Sequence, residues 1–319
     1  MNSKNKHIII TLLSYAWFVA VLAFLSIKGL PIDYIRETGL IIGWIPETSI
    51  NGIISAAINT VIISIIGILL VRLNTLFPLM KEHTYLPIVF FLLLEMSTAS
   101  LINHFSLANV AALSICLCIF ILYTCYQQGS SPEQSFVIAF LFSITSLFYA
   151  RILYILPIFI IGFHQMRALS IRTIIAFIIG LITPYWIIWG LGWVEYTQLD
   201  SSNLSLKPQW IKPSISLIPT IFVTLLGLFT GTSNLLNAHT EKIQTRAYNG
   251  FINLLSVYTA LLICIDHEQY ETYLPILNMS VSLQSAYYFA NKHNRINTIL
   301  FYSIITLLFS WQIWTLLAA

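Results

Sequence analysis

The chain has 319 residues, of which 58% are hydrophobic and only 8% charged, with a mean hydropathy of +0.84. That composition leaves no room for a soluble domain, since the longest polar stretch, Glu195–Pro213, is too short for an independent core. A net charge of +3 without a basic run argues against a nucleic-acid partner, and four cysteines without ligand spacing argue against a metal centre.

The first apolar run, Ile8–Ile27, follows Lys4 and Lys6 and is longer than the apolar core of a signal peptide, so it reads as a retained signal-anchor helix. The loop after it holds Asp33, Arg36 and Glu37, then a short apolar stretch from Gly39 to Pro46 that suits an interfacial segment. Carboxylates above such a segment are candidates for a general base, with Asp33 and Glu37 as the catalytic pair, although a solvated loop explains them as simply. A second run, Ile50–Val71, is long enough to cross a hydrocarbon core of about 30 Å.

The third run, Tyr85–Ile102, contains Glu95, the one carboxylate placed deep in a span. It lies about 15 Å past Tyr85, near mid-membrane, where an ionisable group costs at least ~2.5 kcal/mol unless paired or neutral. Glu95 is therefore a candidate substrate or proton site, or else a polar residue that holds helices together. Asn103 and His104 follow at the same membrane face as the first loop, and His104 is a further candidate substrate contact. Cys116, Cys118 and Cys125 fall in the next run, Leu107–Tyr126, as small apolar packing residues.

Ser131-Pro132-Glu133-Gln134 carries the signature of a helix start, with an N-cap serine, a proline in the first turn and a capping-box Gln. The apolar stretch beyond it, Phe136–Phe163, is interrupted only by Arg151 and Pro157. Read as a helical hairpin (Ser135–Ala150 and Ile152–Met166), it places Arg151 near the outer interface. Read as one helix, it leaves Arg151 costly in mid-membrane. At the interface Arg151 is a candidate for an anionic ligand such as a lipid phosphate, or a residue that snorkels. The remaining runs are Thr173–Val194, Ser214–Thr232, Phe251–Ile265, Tyr273–Ala290 and Ile296–Leu317.

The expected fold is an all-α polytopic membrane protein, a single integral domain of about eleven transmembrane helices, or nine if the hairpin is one helix and Tyr85–Ile102 does not cross. With the N-terminus inside, ten of the fifteen Lys and Arg residues face the cytoplasm, and only Lys28, Arg36, Arg151, Lys207 and Lys212 lie outside. The basic excess favours N-in, C-out. Seven of the eight tryptophans then gather at the outer face, as interfacial anchors or as platforms for sugars or lipid head groups. One pentapeptide, Thr84-Tyr85-Leu86-Pro87-Ile88, recurs at Thr272–Ile276, but the likeness stops there and Thr before an early Pro is a common helix start.

Several apolar motifs between Tyr85 and Val194 carry a resemblance: Leu86-Pro87-Ile88-Val89-Phe90-Phe91, Ser106-Leu107-Ala108-Asn109, Ala139-Phe140-Leu141 through Tyr149, and Gly180-Leu181-Ile182-Thr183-Pro184-Tyr185. This third of the chain resembles uncharacterised multi-spanning inner-membrane proteins of Bacteroidota, which implies location in the cytoplasmic (inner) membrane. A fainter, topological likeness is to polytopic lipid-linked-sugar glycosyltransferases. These place an acidic residue in the first outer loop, a position Asp33 would match. The first functional reading is therefore a protein handling a lipid-linked or hydrophobic envelope substrate at its outer face, with membrane lipids, a lipid-linked saccharide or another envelope protein as partner. The alternatives are a proton-linked transporter using Glu95 and a membrane scaffold without chemistry. No motif names a cofactor. On this reading, loss of Asp33 or Glu37 is expected to be more damaging than Glu95→Gln.

Overall fold

The computed structural model describes residue 11 and residues 13–21, 52–80, 84–98, 100–103, 105–192, 217–237, 241–266, 270–291 and 295–318, and among these there is no strand. The helices in chain order are α1 (residues 13–21), α2 (Gly52–Leu76), α3 (Leu86–Glu95), α4 (Ser100–Asn103), α5 (Leu107–Thr124) and α6 (Pro132–Phe148). A 3₁₀ segment, Ala150–Ile155, leads into α7 (Leu156–Gln165). Then come α8 (Ile171–Gly190), α9 (Leu217–Asn237), α10 (Ile243–Ile265), α11 (Tyr270–Asn291) and α12 (Arg295–Ala318).

Local chemistry sets several of the helix starts. Pro87, Pro132 and Pro157 occupy the first two positions of α3, α6 and α7, where the missing N–H has no intrahelical partner to lose. Ser106 and Ser170 cap α5 and α8 through their hydroxyls, which accept from the backbone N–H groups of Ala108 and Thr173. The start at Ser131-Pro132 falls where the sequence places it, but the serine hydroxyl makes no capping bond. The Ser131 N–H instead donates to Thr173 Oγ1 at 3.3 Å, so the end of α6 is tied to α8 rather than to itself.

The apolar stretch around Arg151 is not one helix. Tyr149 leaves helical geometry (φ −142°, ψ 85°), and the chain turns through the 3₁₀ segment into α7. Phe142 of α6 then meets Phe159 of α7 at 4.9 Å between ring centroids as the chain reverses direction, and α7 packs against α10 and α5. At the far end of α7 the Met166 carbonyl accepts from the Gln127 N–H, just past the end of α5, at 2.9 Å. Helix α8 then runs parallel to α6. Ser135 Oγ donates to the Thr173 carbonyl and Ser143 Oγ to the Leu181 carbonyl, both at 2.7 Å, and Ser146 shares a bond with the Tyr185 hydroxyl. Small residues along α6 and Gly180 on α8 bring the two backbones together, the usual way apolar helices associate without a hydrophobic driving force.

At the centre lies α11, buried from Thr272 to Ala290 and packed by α3, α5, α9, α10 and α12. It is long enough to span, yet Asn278, Ser280, Ser282, Gln284 and Ser285 make it the least apolar of the long helices. The outer helices are the reverse. On α8, Ile171, Ile174, Ile175, Ile178, Ile179 and Ile182 form an exposed apolar stripe at helical spacing, and α9 and α12 expose similar faces. Such faces suit lipid. Among the described residues, six helices are long and apolar enough to cross a membrane: α2, α5, α8, α9, α10 and α12.

Compared with the sequence reading, α2 runs five residues further, through Arg72 and Asn74, and α10 starts eight residues earlier. The expected single run Tyr85–Ile102 is split into α3 and α4. Asp33, Glu37 and His104 lie outside the described residues.

A buried carboxylate at a broken helix

Helix α3 stops inside the protein. All ten of its residues are buried, and so are Met96, Ser97 and Thr98 where the chain turns toward α4. A helix that ends away from water leaves backbone carbonyls that must be satisfied by neighbours. The N–H groups of Met96, Ser97 and Thr98 take the carbonyls of Leu92, Leu94 and Glu95, and four side chains on three helices serve Leu93 and the segment that follows. Gln312 Nε2 of α12 donates to the Leu93 carbonyl at 3.0 Å, and the Trp311 indole N–H donates to that of Ser97 at 3.1 Å. Asn59 Nδ2 of α2 reaches the carbonyls of Leu101 and Ile102 at 2.6 and 3.3 Å. Asn109 Nδ2 of α5 shares the Leu101 carbonyl at 3.0 Å and also donates to Asn59 Oδ1 at 2.9 Å. The Trp17 indole N–H in turn donates to Gln312 Oε1 at 2.8 Å.

Glu95 is the last residue of α3 and is fully buried. Its Oε2 accepts from Asn278 Nδ2 of α11 at 2.9 Å. Glu95 Oε1 and Asn278 Oδ1 are both buried without a hydrogen-bond partner, as is the hydroxyl of nearby Thr98. An acceptor left unpaired in the interior costs about 1–3 kcal/mol, and a charged one more. The carboxyl is therefore held on one side and open on the other, where a proton or another hydrogen-bond donor would complete it. The amides and indole that serve the break take up the nearby carbonyls at Leu93, Ser97, Leu101 and Ile102.

Six residues earlier on α11, about 9 Å along the axis, a second polar cluster closes the end of the bundle. Arg151, on the 3₁₀ segment, is ion-paired with Asp266 at the end of α10. Beside it the Tyr149 and Thr272 hydroxyls are hydrogen-bonded, and the Tyr258 hydroxyl donates to the Tyr154 carbonyl at 2.7 Å. The Tyr273 hydroxyl lies buried near this group without a partner. The guanidinium that sequence reading offered to an anionic ligand is thus already matched by a carboxylate of the protein.

Of the candidates drawn from sequence, Glu95 and Arg151 are therefore both placed, but in separate clusters. Asn278, Asn59, Asn109, Gln312 and Asp266 were not singled out as site residues. A run of small and polar residues, Ser97-Thr98-Ala99-Ser100, inside an apolar stretch was the signal for the break. The polar run from Asn278 to Ser285 was the signal for the central helix. Among the described residues no three His, Cys, Asp or Glu side chains gather as metal ligands.

Fold and site together define an all-helical protein with six helices fit to cross a membrane and a carboxylate buried at a helix break in its interior. No protein-family model, curated protein or solved structure matches the chain.

Proposed function

We propose that the protein is an eleven-pass transporter of the cytoplasmic membrane, N-terminus inside and C-terminus outside, that couples movement of a small solute to proton uptake and release at Glu95. The observation that carries this reading is the Glu95 carboxyl at the end of a discontinuous helix, fully buried, with one oxygen on Asn278 and the other open. Ionisable groups at membrane depth mark ion and substrate pathways, and broken helices are the usual place to build them.

The eleven passes are supported by the way the helices alternate. The chain reverses direction between α6 and α7, and α8 runs parallel to α6. Helix α9 runs parallel to α11, as Gly227 faces Val281 and Asn234 donates to the Gln284 carbonyl at 3.1 Å. Counting α3 with α4 as one broken crossing gives the eleven. Reporter fusions after Lys6, Glu268 and Ala319 should read inside, outside and outside; an internal signal after Glu268 would break this topology.

Transport is tested in proteoliposomes on a solid-supported membrane, with a panel of sugars, amino acids and inorganic ions applied at a fixed pH gradient. At least one solute should evoke a current that Glu95→Gln lacks although the variant inserts and folds. Equal currents from both proteins would sink the reading.

A second reading, action on a lipid-linked or hydrophobic envelope substrate at the outer face, is favoured by the tryptophans. Trp186 and Trp189 are exposed near the end of α8, and Trp311 lies 5.1 Å from Trp314 near the end of α12. This reading, glycosyltransferase-like, assigns the chemistry to Asp33 and Glu37. It requires Asp33→Asn or Glu37→Gln to fail an envelope complementation assay in which Glu95→Gln succeeds.

A further inference from the structure

The face of α11 turned toward α9 and α10 carries a second set of buried polar atoms, and its geometry depends on two glycines. Gly227 and Gly231, one turn apart on α9, face α11 across a close contact. A Cβ at Gly227 would stand 2.7 Å from Val281 Cγ2, so the glycine there lets the helices touch. At Gly231 the situation is different. A Cβ at that position would meet nothing nearer than 3.5 Å, and its three nearest atoms are Asn253 Oδ1 at 3.5 Å, Gln284 Nε2 at 3.6 Å and Gln284 Oε1 at 3.7 Å. A Cβ at Gly231 would therefore sit in ordinary van der Waals contact with carboxamide atoms, and in the unsubstituted protein that methyl-sized place is left unfilled.

The orientation of the Gln284 amide follows from its neighbours. Ser256 Oγ spends its proton on the Asn253 carbonyl at 2.9 Å, so it can only accept from Gln284 Nε2, which reaches it at 2.6 Å. The same N–H₂ group faces the Ile252 carbonyl at 3.4 Å. Gln284 Oε1 must then point back to α9, where it has no partner; Asn253 Oδ1 has none either. Gln284 and Asn253 are both more than nine-tenths buried. Two unpaired neutral oxygens thus face one small space between three helices.

We infer that the notch over Gly231 is a binding site for one small uncharged hydrogen-bond donor, an O–H or N–H₂ group that bridges Gln284 Oε1 and Asn253 Oδ1. The donor is either a water molecule or the end of a larger polar solute reaching between the helices. The glycine is what keeps the place open: any side chain at residue 231 enters the space the donor occupies.

The test uses the full-length protein purified in detergent and compares Gly231→Ala with Gly231→Ser. Sterically both fit. Alanine is the better helix former, so a dry notch would make Gly231→Ala the more stable of the two. A notch that requires a donor reverses the order, because the serine hydroxyl supplies one while the alanine methyl excludes it. The expected result is a melting temperature for Gly231→Ser above that of Gly231→Ala by roughly 2 °C or more. In a high-resolution map of the unsubstituted protein the notch should contain density within hydrogen-bond distance of both oxygens. An isolated peak identifies water, and elongated density identifies a solute. An empty notch with the Asn253 amide turned so that its N–H₂ serves Gln284 Oε1, or Gly231→Ala melting at or above Gly231→Ser, would overturn the inference.

Discussion

Removal of one member of the Arg151–Asp266 pair tests whether the cluster at that end of the bundle holds it together. Both groups are largely withdrawn from water, with side-chain exposures of 15% for Arg151 and 4% for Asp266. At an effective dielectric of about 20, unit charges in contact attract by ~4 kcal/mol. Most of that is offset by desolvation, but deleting one partner leaves the other charge uncompensated, at about 3–5 kcal/mol when fully buried. Arg151→Gln strands the more buried group and should cost about 3 kcal/mol. Asp266→Asn strands a guanidinium that keeps some water and should cost about 2 kcal/mol. At roughly 2 °C per kcal/mol, the melting temperature should fall by roughly 6 °C and 4 °C respectively. The double variant has no stranded charge and should recover most of the loss. A thiol-reactive dye reports the transition, because Cys116, Cys118 and Cys125 are buried; the exposed Cys264 is first replaced by Ser to lower the baseline. A double variant that melts as low as the sum of the single losses would refute the coupling. Arg151→Gln milder than Asp266→Asn would refute the ordering by burial.

Gly180→Ala should destabilise more than Gly227→Ala, both in the range of about 1–3 kcal/mol, since the new Cβ would stand 2.5 Å from the backbone carbonyl of Phe136 in one case and 2.7 Å from a side-chain methyl of Val281 in the other. Thermal unfolding decides the order, because a backbone cannot move aside as a methyl can. Asn59→Leu and Asn109→Leu should each cost about 1–3 kcal/mol by orphaning carbonyls of the broken segment, and the double variant should lose less than the sum; strict additivity would mean the two amides do not share that task. Gln312→Leu should both destabilise the protein and shift the tryptophan emission, as the Trp17 indole loses its acceptor; unchanged emission would count against that bond.

The helical class was legible because apolar runs of span length leave little other choice, and the early prolines at 87 and 132 announced two helix starts; Pro157 read only as an interruption, and α7 begins beside it at Leu156 rather than at Ile152. The interruption at Arg151 was legible from cost alone, since a guanidinium in mid-span is unfavourable. Its partner was not: Asp266 lies 115 residues further on, and nothing local says which of several acids at that face will meet it. The break after Glu95 was marked only by Ser97-Thr98-Ala99-Ser100, a weak signal beside the apolar Leu86–Leu94, and the neighbours that serve the carbonyls of the broken segment were not marked at all. Those neighbours, Asn59, Asn109 and Gln312, are ordinary polar residues in sequence and acquire meaning only by converging in space. Helix α10 was misjudged at its start because Gln244, Thr245, Asn249 and other polar residues dilute the apolar signal, although the helix begins at Ile243.

The polarity of α11 has a consequence for how the chain enters the bilayer. Hydropathy drives a segment from the insertion channel into lipid, and a stretch with Asn278, Ser280, Ser282, Gln284 and Ser285 gains little from leaving by itself. What makes α11 acceptable is company: Ser256 of α10 meets Gln284, while Asn234 of α9 takes up its backbone carbonyl. Both partners precede α11 in translation order. Biogenesis therefore calls for α9 and α10 to linger beside the channel until α11 emerges, so that the three are released as one unit. A glycosylation-mapping series should find α11 inserted when α9 and α10 precede it, and slipping back when they are replaced by an unrelated leucine-rich hairpin.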